Sequence, residues 1–350
     1  MCEVLGMSST PNLGKYLGFP LKHPGSSSHD FDFVLERVQT KLQGWKASLL
    51  SMAGRVVLTQ SVTSAVPSYL MQGCFLPSRV LNGLDRLDRN FIWGSIEEKK
   101  KMHMIYWDKI TKPKNCGGLG VHSAKGRNLT LAAKLCWRIE TSENAGWAEV
   151  LKKKYRLRTQ NRKGSKSCVW LTIKKGQPIF DKRSKWIIRN NSLLSFWHDK
   201  WLNEGKIRSL VEGLLSLGEE EVKVTDVMIN GTWSTNNIFF VLPDDVLKAI
   251  KATPIRRTAW RDDQRCWVSS ANGAFETKSA YLLAINEDLS TQDFNGKWIW
   301  KLCTLPKIKY FLWKCYHHSL PVNAILAHRE IEGLGGCSSC LDLMKPLPMF

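Results

Sequence analysis

A chain of 350 residues and 39.9 kDa has room for two or three domains. Hydrophobic residues at 43% and charged residues at 23% sit near globular norms, which excludes wholesale disorder and the collagen-like, coiled-coil and disulfide-scaffold classes. Lysine and arginine number 51 against 31 aspartates and glutamates, a net charge of +20 that points to polyanionic partners.

The excess is focused. Residues 99–200 hold 25 basic and 6 acidic side chains, and 151–189 holds 14 basic residues against Asp181 alone. A stretch of that density attracts a nucleic-acid backbone and releases its counterions on binding, whereas the plainer reading is a solvated basic surface. Ten cysteines at irregular spacing, with no basic-then-apolar leader over Met1–Pro20, give neither a disulfide framework nor a secretory signal. Reduced thiols and a nuclear or cytoplasmic location are therefore expected. The uncharged run from Val56 to Ser78 is interrupted by Gln60, Ser61, Thr63, Ser64, Pro67, Ser68 and Gln72, which argues against a membrane span. Fifteen tryptophans between Trp45 and Trp313 predict that buried indoles recur along the chain.

In chain order, Lys15–Leu21 reads as a short strand stopped by Pro20. Phe31, Val34, Leu35, Val38, Leu42 and Trp45 recur at helical spacing, with Asp30 at the cap. A second helix begins at Ser51. A third has Ser78 as cap, Leu81, Leu84, Leu87 and Phe91 as its stripe, and Gly94 as its stop. Lys112–Gly120, with Pro113 and Gly117-Gly118, is a turn, and Ser123–Glu140 is a fourth helix. Helices are expected over Trp147–Tyr155 and Val169–Lys175, with a loop between them. Trp186 and Ile188, then Asn190-Asn191, then Leu194, Phe196 and Trp197 predict a hairpin. Leu210–Glu221 reads as an acidic connection, and Pro243-Asp-Asp opens a helix. Cys266–Phe275, with Asn272-Gly273 at its turn, is the strongest hairpin pattern. Thr277 then caps a helix carrying Tyr281 and Leu282, and Ile308, Phe311, Leu312 and Cys315 form the apolar face of a helix begun near Pro306.

Asp244-Asp245 and Asp262-Asp263 are adjacent carboxylates of the kind that hold divalent metals in phosphoryl transfer. The first pair follows Leu-Pro and reads as a helix first turn, where acids favour the helix dipole. The second sits between Arg261 and Arg265 and reads as local ion pairing. No Gly-x-Ser-x-Gly elbow, phosphate loop or dinucleotide fingerprint occurs. His317 and His318 have no identifiable acid or nucleophile beside them and read as core-edge or surface residues. Cys337-Ser-Ser-Cys340 is the one metal-like motif. It offers two thiolates to tetrahedral zinc, which needs two more ligands, and His317, His318 and His328 lie upstream as candidates.

Several of these segments together resemble plant LINE-type (non-LTR) retrotransposon reverse transcriptases. The residues are Lys15-Tyr-Leu-Gly-Phe-Pro-Leu21, Leu42-Gln-Gly-Trp-Lys46, Leu50-Ser-Met-Ala-Gly-Arg-Val56, Phe91-Ile-Trp-Gly94, Trp107 with Pro113-Lys114, and Gly117-Gly-Leu-Gly120. Phe196-Trp-His-Asp-Lys-Trp-Leu202 and Gly273-Ala-Phe275 with Lys278-Ser-Ala-Tyr281 continue in the same order. Trp300-Lys301, Leu305–Lys314 and Leu320-Pro321 resemble the reverse-transcriptase zinc-binding domain. The similarity runs from about Leu13 to Cys340, and several motifs in one order are far more specific than any one of them.

The resemblance implies the region that follows the catalytic palm. The family's polymerase signature is an aromatic residue, a small residue and two metal-binding aspartates, and neither aspartate pair here has the aromatic lead. The family completes Cys-x-x-Cys with a downstream His and Cys, which Leu341–Phe350 does not supply, so Cys337 and Cys340 are expected as a zinc half-site. No RNase H domain is expected. The chain as it stands is therefore expected to be no enzyme, and to hold RNA or DNA by the phosphate backbone and no membrane. On charge density, Lys152, Lys153, Lys154, Arg156, Arg158, Arg162 and Lys163 are the residues assigned to that contact. The alternatives are a component working with a palm supplied by another chain, and a pseudogene product without biochemical role. The expected fold is α+β and mostly helical: a thumb-like helical region over 1–143, a basic Trp-rich connecting region with short hairpins over 144–272, and a truncated zinc-binding-like region over 273–350.

Overall fold

A computed structural model describes residues 15–16, 19–20, 28–43, 49–95, 101–142, 145–156, 167–189, 192–229, 231–255, 263–286 and 294–322. Helices dominate: α1 (Asp32–Gln43), α2 (Met52–Leu58), α3 (Ala65–Met71), α4 (Ser78–Trp93), α5 (Trp107–Ile110), α6 (Ala124–Thr141), α7 (Gly146–Arg156), α8 (Cys168–Arg183), α9 (Ile207–Leu210), α10 (Asp244–Ala252), α11 (Thr277–Ala284), α12 (Lys297–Lys301) and α13 (Pro306–Tyr316). The strands are short antiparallel pairs. β1 (Lys15–Tyr16) pairs with β2 (Phe19–Pro20), β3 (Ser184–Ile187) with β6 (Gln264–Trp267), and β4 (Met228–Ile229) with β5 (Thr232–Trp233). This is the mostly helical α+β class that the sequence predicts.

The chain divides into two compact units. One comprises 1–71, 76–128 and 288–350, and the other comprises 72–75 and 129–287. These units cut across the stretches 1–143, 144–272 and 273–350, because the C-terminal helices share a core with the N-terminal ones. In that core Ala53, Val56, Ile110, Leu119 and Val121 surround Ile299, Tyr310 and Trp313.

In the first unit, Lys15–Tyr16 pairs antiparallel with Phe19–Pro20, Tyr16 opposite Phe19, where one strand is expected. Ser51 caps α2 as expected, its hydroxyl accepting from the Gly54 N–H at 3.4 Å. The polar residues that interrupt the uncharged run bond back to the helix ladder. Thr59, Ser61 and Thr63 donate to the carbonyls four residues before them, at 3.0, 2.8 and 2.9 Å, and the backbone widens there into one π turn, Thr59–Thr63. No helix among the described residues is long and apolar enough to cross a membrane.

The caps of α4 and α11 fall one residue before the expected Ser78 and Thr277, and Pro243, expected just inside α10, is instead its cap. Pro77, Pro243 and Glu276 are the cap residues of α4, α10 and α11, and their carbonyls accept the first helical bonds, from Leu81, Leu247 and Ala280. Gly94 ends α4 in the left-handed conformation, φ 71°, as its position predicts.

The face of α13 is a larger correction. Ile308 and Phe311 are 41% and 50% exposed, whereas Tyr310 and Trp313 are buried. The reason is polar. Trp313 Nε1–H donates to the carbonyl oxygen of Gly117 at 2.8 Å, and His317 Nε2 meets the same oxygen at 2.8 Å. The turn that presents this oxygen needs glycine twice. Gly117 has φ 86°, and a Cβ on Gly118 would lie 1.9 Å from the Lys112 carbonyl oxygen.

In the second unit, α8 extends to Arg183, eight residues beyond the helix predicted over 169–175. Its Gly176 lies directly against the backbone of Ala132 and Ala133 on α6, where a Cβ would come within 2.3 Å. The hairpin expected between 186–188 and 194–197 does not form. β3 pairs instead with β6, while Ser195 bridges to Lys223, with Phe196 N–H on the Val222 carbonyl and Val224 N–H on that of Leu194. That pairing carries Phe196, Trp197, Trp201 and Leu202 into a core with Val224, Val227 and Ile250. The predicted 266–275 hairpin is reduced to a turn. Gly273, φ 73°, returns its carbonyl to Trp267 N–H at 2.8 Å, and β6 finds its partner strand in β3.

Buried indoles recur as the composition predicts: Trp197, Trp201, Trp267 and Trp313 are all fully buried. The thiols depart from expectation. Cys74 and Cys168 form a disulfide, their Cα atoms 5.7 Å apart. Phe75 N–H bonds Thr172 Oγ1 at 2.8 Å, which sets residue 74 beside the first turn of α8.

Two carboxyls of α4 are buried. Desolvation pushes Asp88 up to about 7, opposed by the nearby Thr63 hydroxyl and by the charge of Arg127, with Asp85 adding repulsion. Asp85 is pushed up to about 6 by burial, although it accepts the Ala124 N–H at 2.8 Å. A raised folded-state pKa means that the folded chain holds protons the unfolded chain releases. This stability is complete below the unfolded carboxyl pKa of ~4 and is lost as pH rises through the folded values. Asp88→Asn should therefore flatten the decline in Tm between pH 5 and 8, and raise Tm at pH 8 by ~2–4 °C, the shift that ~1 kcal/mol produces in a domain of this size. Gly118→Ala, measured by urea unfolding, should destabilise the first unit by ~1–3 kcal/mol through overpacking.

Candidate nucleic-acid interface

Within the second unit the basic stretch is built on α6 from Leu129 onward, α7 and α8. In α7, Ala148 is buried and Leu151, Lys152 and Tyr155 are half-buried, while Lys153 and Lys154 are exposed. Their environments differ. Lys152 lines a cavity of about 240 Å³ with Cys136, Glu140, Leu151 and Trp170. Lys153 pairs with Glu149 at 2.6 Å, and that contact holds the Glu149 carboxyl below its ordinary range. Lys154 Nζ stands 5.5 Å from the Tyr155 ring centre.

Aromatic residues fix the frame. Tyr155 stacks on Trp170 with centroids 4.2 Å apart and planes 3° from parallel. The Tyr155 hydroxyl donates to Ser167 Oγ at 2.9 Å and accepts Ser167 N–H at 3.0 Å, while Ser167 caps α8. Tyr155 and Ser167, on either side of the sequence 157–166, are thereby held together. Arg158, Arg162 and Lys163 belong to that segment and lie outside the described residues, as does the side chain of Arg156 at the end of α7.

The structure adds cations that charge density alone did not single out. Lys174 and Lys175 are exposed on α8, and Lys174 lies 5.9 Å from the Trp170 ring. Lys134 and Arg138 are exposed on α6, with Arg138 over the ring of Trp147 at 5.4 Å. The available signal was helical spacing: Trp170 to Lys174 and Lys134 to Arg138 are each one turn apart. Ammonium and guanidinium groups interleaved with exposed or partly exposed rings suit a phosphate backbone with stacked bases.

The other candidates resolve as structural parts. Asp244 and Asp245 occupy the first turn of α10. Asp263 accepts Arg189 N–H at 3.0 Å and the Ser192 hydroxyl at 2.7 Å. It therefore ties a loop, while Arg261 and Asp262 lie outside the described residues. Arg265 faces Glu140 at 3.7 Å and the Trp186 ring at 4.1 Å. His317 is held to Gly117 and burial lowers its pKa, while His318 is exposed. Among the described residues no three of His, Cys, Asp and Glu come together as a metal site. Cys337, Cys340 and His328 lie outside the described residues.

The segments that carry the family resemblance do structural work. In Phe196–Leu202, three aromatic rings fill the core, Asp199 accepts Ser195 N–H at 2.9 Å, and Lys200 donates to the Lys182 carbonyl at 2.9 Å at the end of α8. Gly273 closes the turn after β6, and Ser279 accepts the Trp267 indole N–H at 2.8 Å.

Known proteins are similar to this chain over much of its length. Residues 275–344 match the family model for the zinc-binding region in reverse transcriptase. An Arabidopsis thaliana protein that carries the name of a ribonuclease H protein is 31% identical over 320 residues, covering 89% of this chain and 52% of that protein. An uncharacterized mitochondrial protein of Arabidopsis thaliana is 28% identical over 144 residues, covering 39% of this chain and 93% of that protein. The chain thus spans about half the length of the first of these relatives. No solved structure matches it. Segment 275–344 thus corresponds to the zinc-binding region in reverse transcriptase, and this relates the chain to the retrotransposon reverse transcriptases that its motifs resemble.

Proposed function

We propose that this chain holds RNA or DNA by its phosphate backbone without reading the bases, and that it does no chemistry of its own in that role. The observation that carries the reading is the cationic surface of α6, α7 and α8, in which Lys153, Lys154, Lys174 and Arg138 stand among Trp147, Tyr155 and Trp170. Such a surface binds through counterion release and is indifferent to sequence. The carboxylates support the second half of the reading. Asp263 spends both oxygens on Arg189 and Ser192, and Asp244 and Asp245 serve a helix start.

Binding of a labelled 30-nucleotide single strand should weaken steeply between 50 and 200 mM salt. Replacing Lys152, Lys153 and Lys154 by Gln should flatten the slope of log K against log salt by ~2, since each phosphate contact on a single strand contributes ~0.7. Glu149→Gln should strengthen binding at low salt, because it frees Lys153 from its present partner. Salt-independent binding, or none at 50 mM salt, would overturn the reading.

A further inference from the structure

A second cationic and aromatic surface lies wholly within the first unit, on elements other than α6, α7 and α8. α2, the turn at Lys114, α12 and α13 enclose an open groove of about 740 Å³. That size falls within the ~300–1,000 Å³ of pockets that take small organic ligands. Trp300 is among its lining residues. Lys114 Nζ stands 5.1 Å from the ring centre, Tyr310 meets the ring edge-on at 5.6 Å and 77°, and Lys309 Nζ donates to the Trp300 carbonyl at 3.1 Å. Lys307 lines the same groove. The remaining wall is apolar, with Val57 and Leu305 58% and 59% exposed, and no acidic residue is among the described residues that line it.

We infer that this groove seats one or two nucleotides of a single-stranded nucleic acid. Charge complementarity selects the occupant. Three ammonium groups require an anion with more than one charge, and the apolar flank beside Trp300 requires that the anion carry a flat or greasy body. A phosphodiester with its base meets both requirements in one repeating unit. An acidic peptide would satisfy the lysines but leave Val57 and Leu305 facing polar side chains. The inference extends the proposed backbone binding to a separate site that grips a strand by base and phosphate together.

The test uses the full chain carrying Lys152, Lys153 and Lys154 as Gln, with fluorescein-labelled hexauridylate and hexathymidylate as separate probes for RNA and DNA. Adding Lys114→Gln, Lys307→Gln and Lys309→Gln should lower hexamer affinity at least tenfold. Val57→Glu, at an exposed position that leaves the core intact, should reproduce that loss with an unchanged circular dichroism spectrum. Photo-crosslinks from 5-iodouridine in the hexamer should map to the peptide 297–316. Affinities of both groove variants within twofold of their parent would overturn the inference, as would crosslinks only elsewhere. Displacement of the hexamer by polyglutamate at equal charge concentration would assign the groove to acidic peptides instead. A chain that binds the 30-nucleotide strand through α7 but ignores the hexamer overturns the groove alone. Hexamer binding at the groove with no effect of the α7 lysines on the long strand overturns the basic-cluster reading alone.

Discussion

The carbonyl oxygen of Gly117 takes two hydrogen bonds, from the Trp313 indole and the His317 imidazole. A carbonyl has two lone pairs, and both are used here, across almost 200 residues of chain. Much of the first unit follows from that arrangement. It fixes the rotation of α13, so that Tyr310 and Trp313 enter the core while Ile308 and Phe311 face outward. The same rotation brings Lys307, Lys309 and Leu305 into one groove with Lys114 and Trp300. Burial holds His317 below its ordinary pKa, which favours the neutral imidazole with its Nε2 proton directed at the carbonyl. The two glycines are what let the turn present that oxygen at all.

Local signals in the sequence read well because they act over a few residues. Ser51 as a cap, Gly94 as a stop, the glycine turn and the extents of α6 and α7 follow from side chains bonding to their own neighbourhood. Long-range partners read poorly. The apolar periodicity of α13 favours Ile308 and Phe311, and only the distant Gly117 oxygen explains why Trp313 wins. Asn190-Asn191 and Asn272-Gly273 are sound turn signals, yet a turn signal does not name the strand that follows. β3 and β6 pair across some eighty residues because Trp267 has a core to fill with Ala133, Ile179 and Ala280. Glu219 sits in what reads as an acidic connection. In the fold it is buried, and its carboxylate accepts the N–H groups of Ser216, Phe239 and Phe240 at 2.7–2.8 Å, which outweigh desolvation and keep it ionised.

The candidate interface shows the same division. Charge density locates the region, since fourteen basic residues against one acid survive any folding. It does not rank the lysines. Lys152, Lys153 and Lys154 are consecutive in sequence, yet one lines a cavity, one is paired with Glu149, and one stands beside a ring. Nor does density show that aromatic residues frame the cations, which depends on Tyr155 finding Trp170 and on Arg138 finding Trp147. The motifs that betray the family are, for their part, the residues that hold the core and close its turns, so they report ancestry through packing.

The Cys74–Cys168 bond gives the chain a covalent ring whose ends are 94 residues apart. The arginine-rich segment 157–166 lies inside that ring. A protease that cuts after Arg158, Arg162 or Lys163 therefore opens the loop without releasing either product. The two pieces travel as one species until a reductant separates them, so the nicked protein keeps its apparent mass on a non-reducing gel.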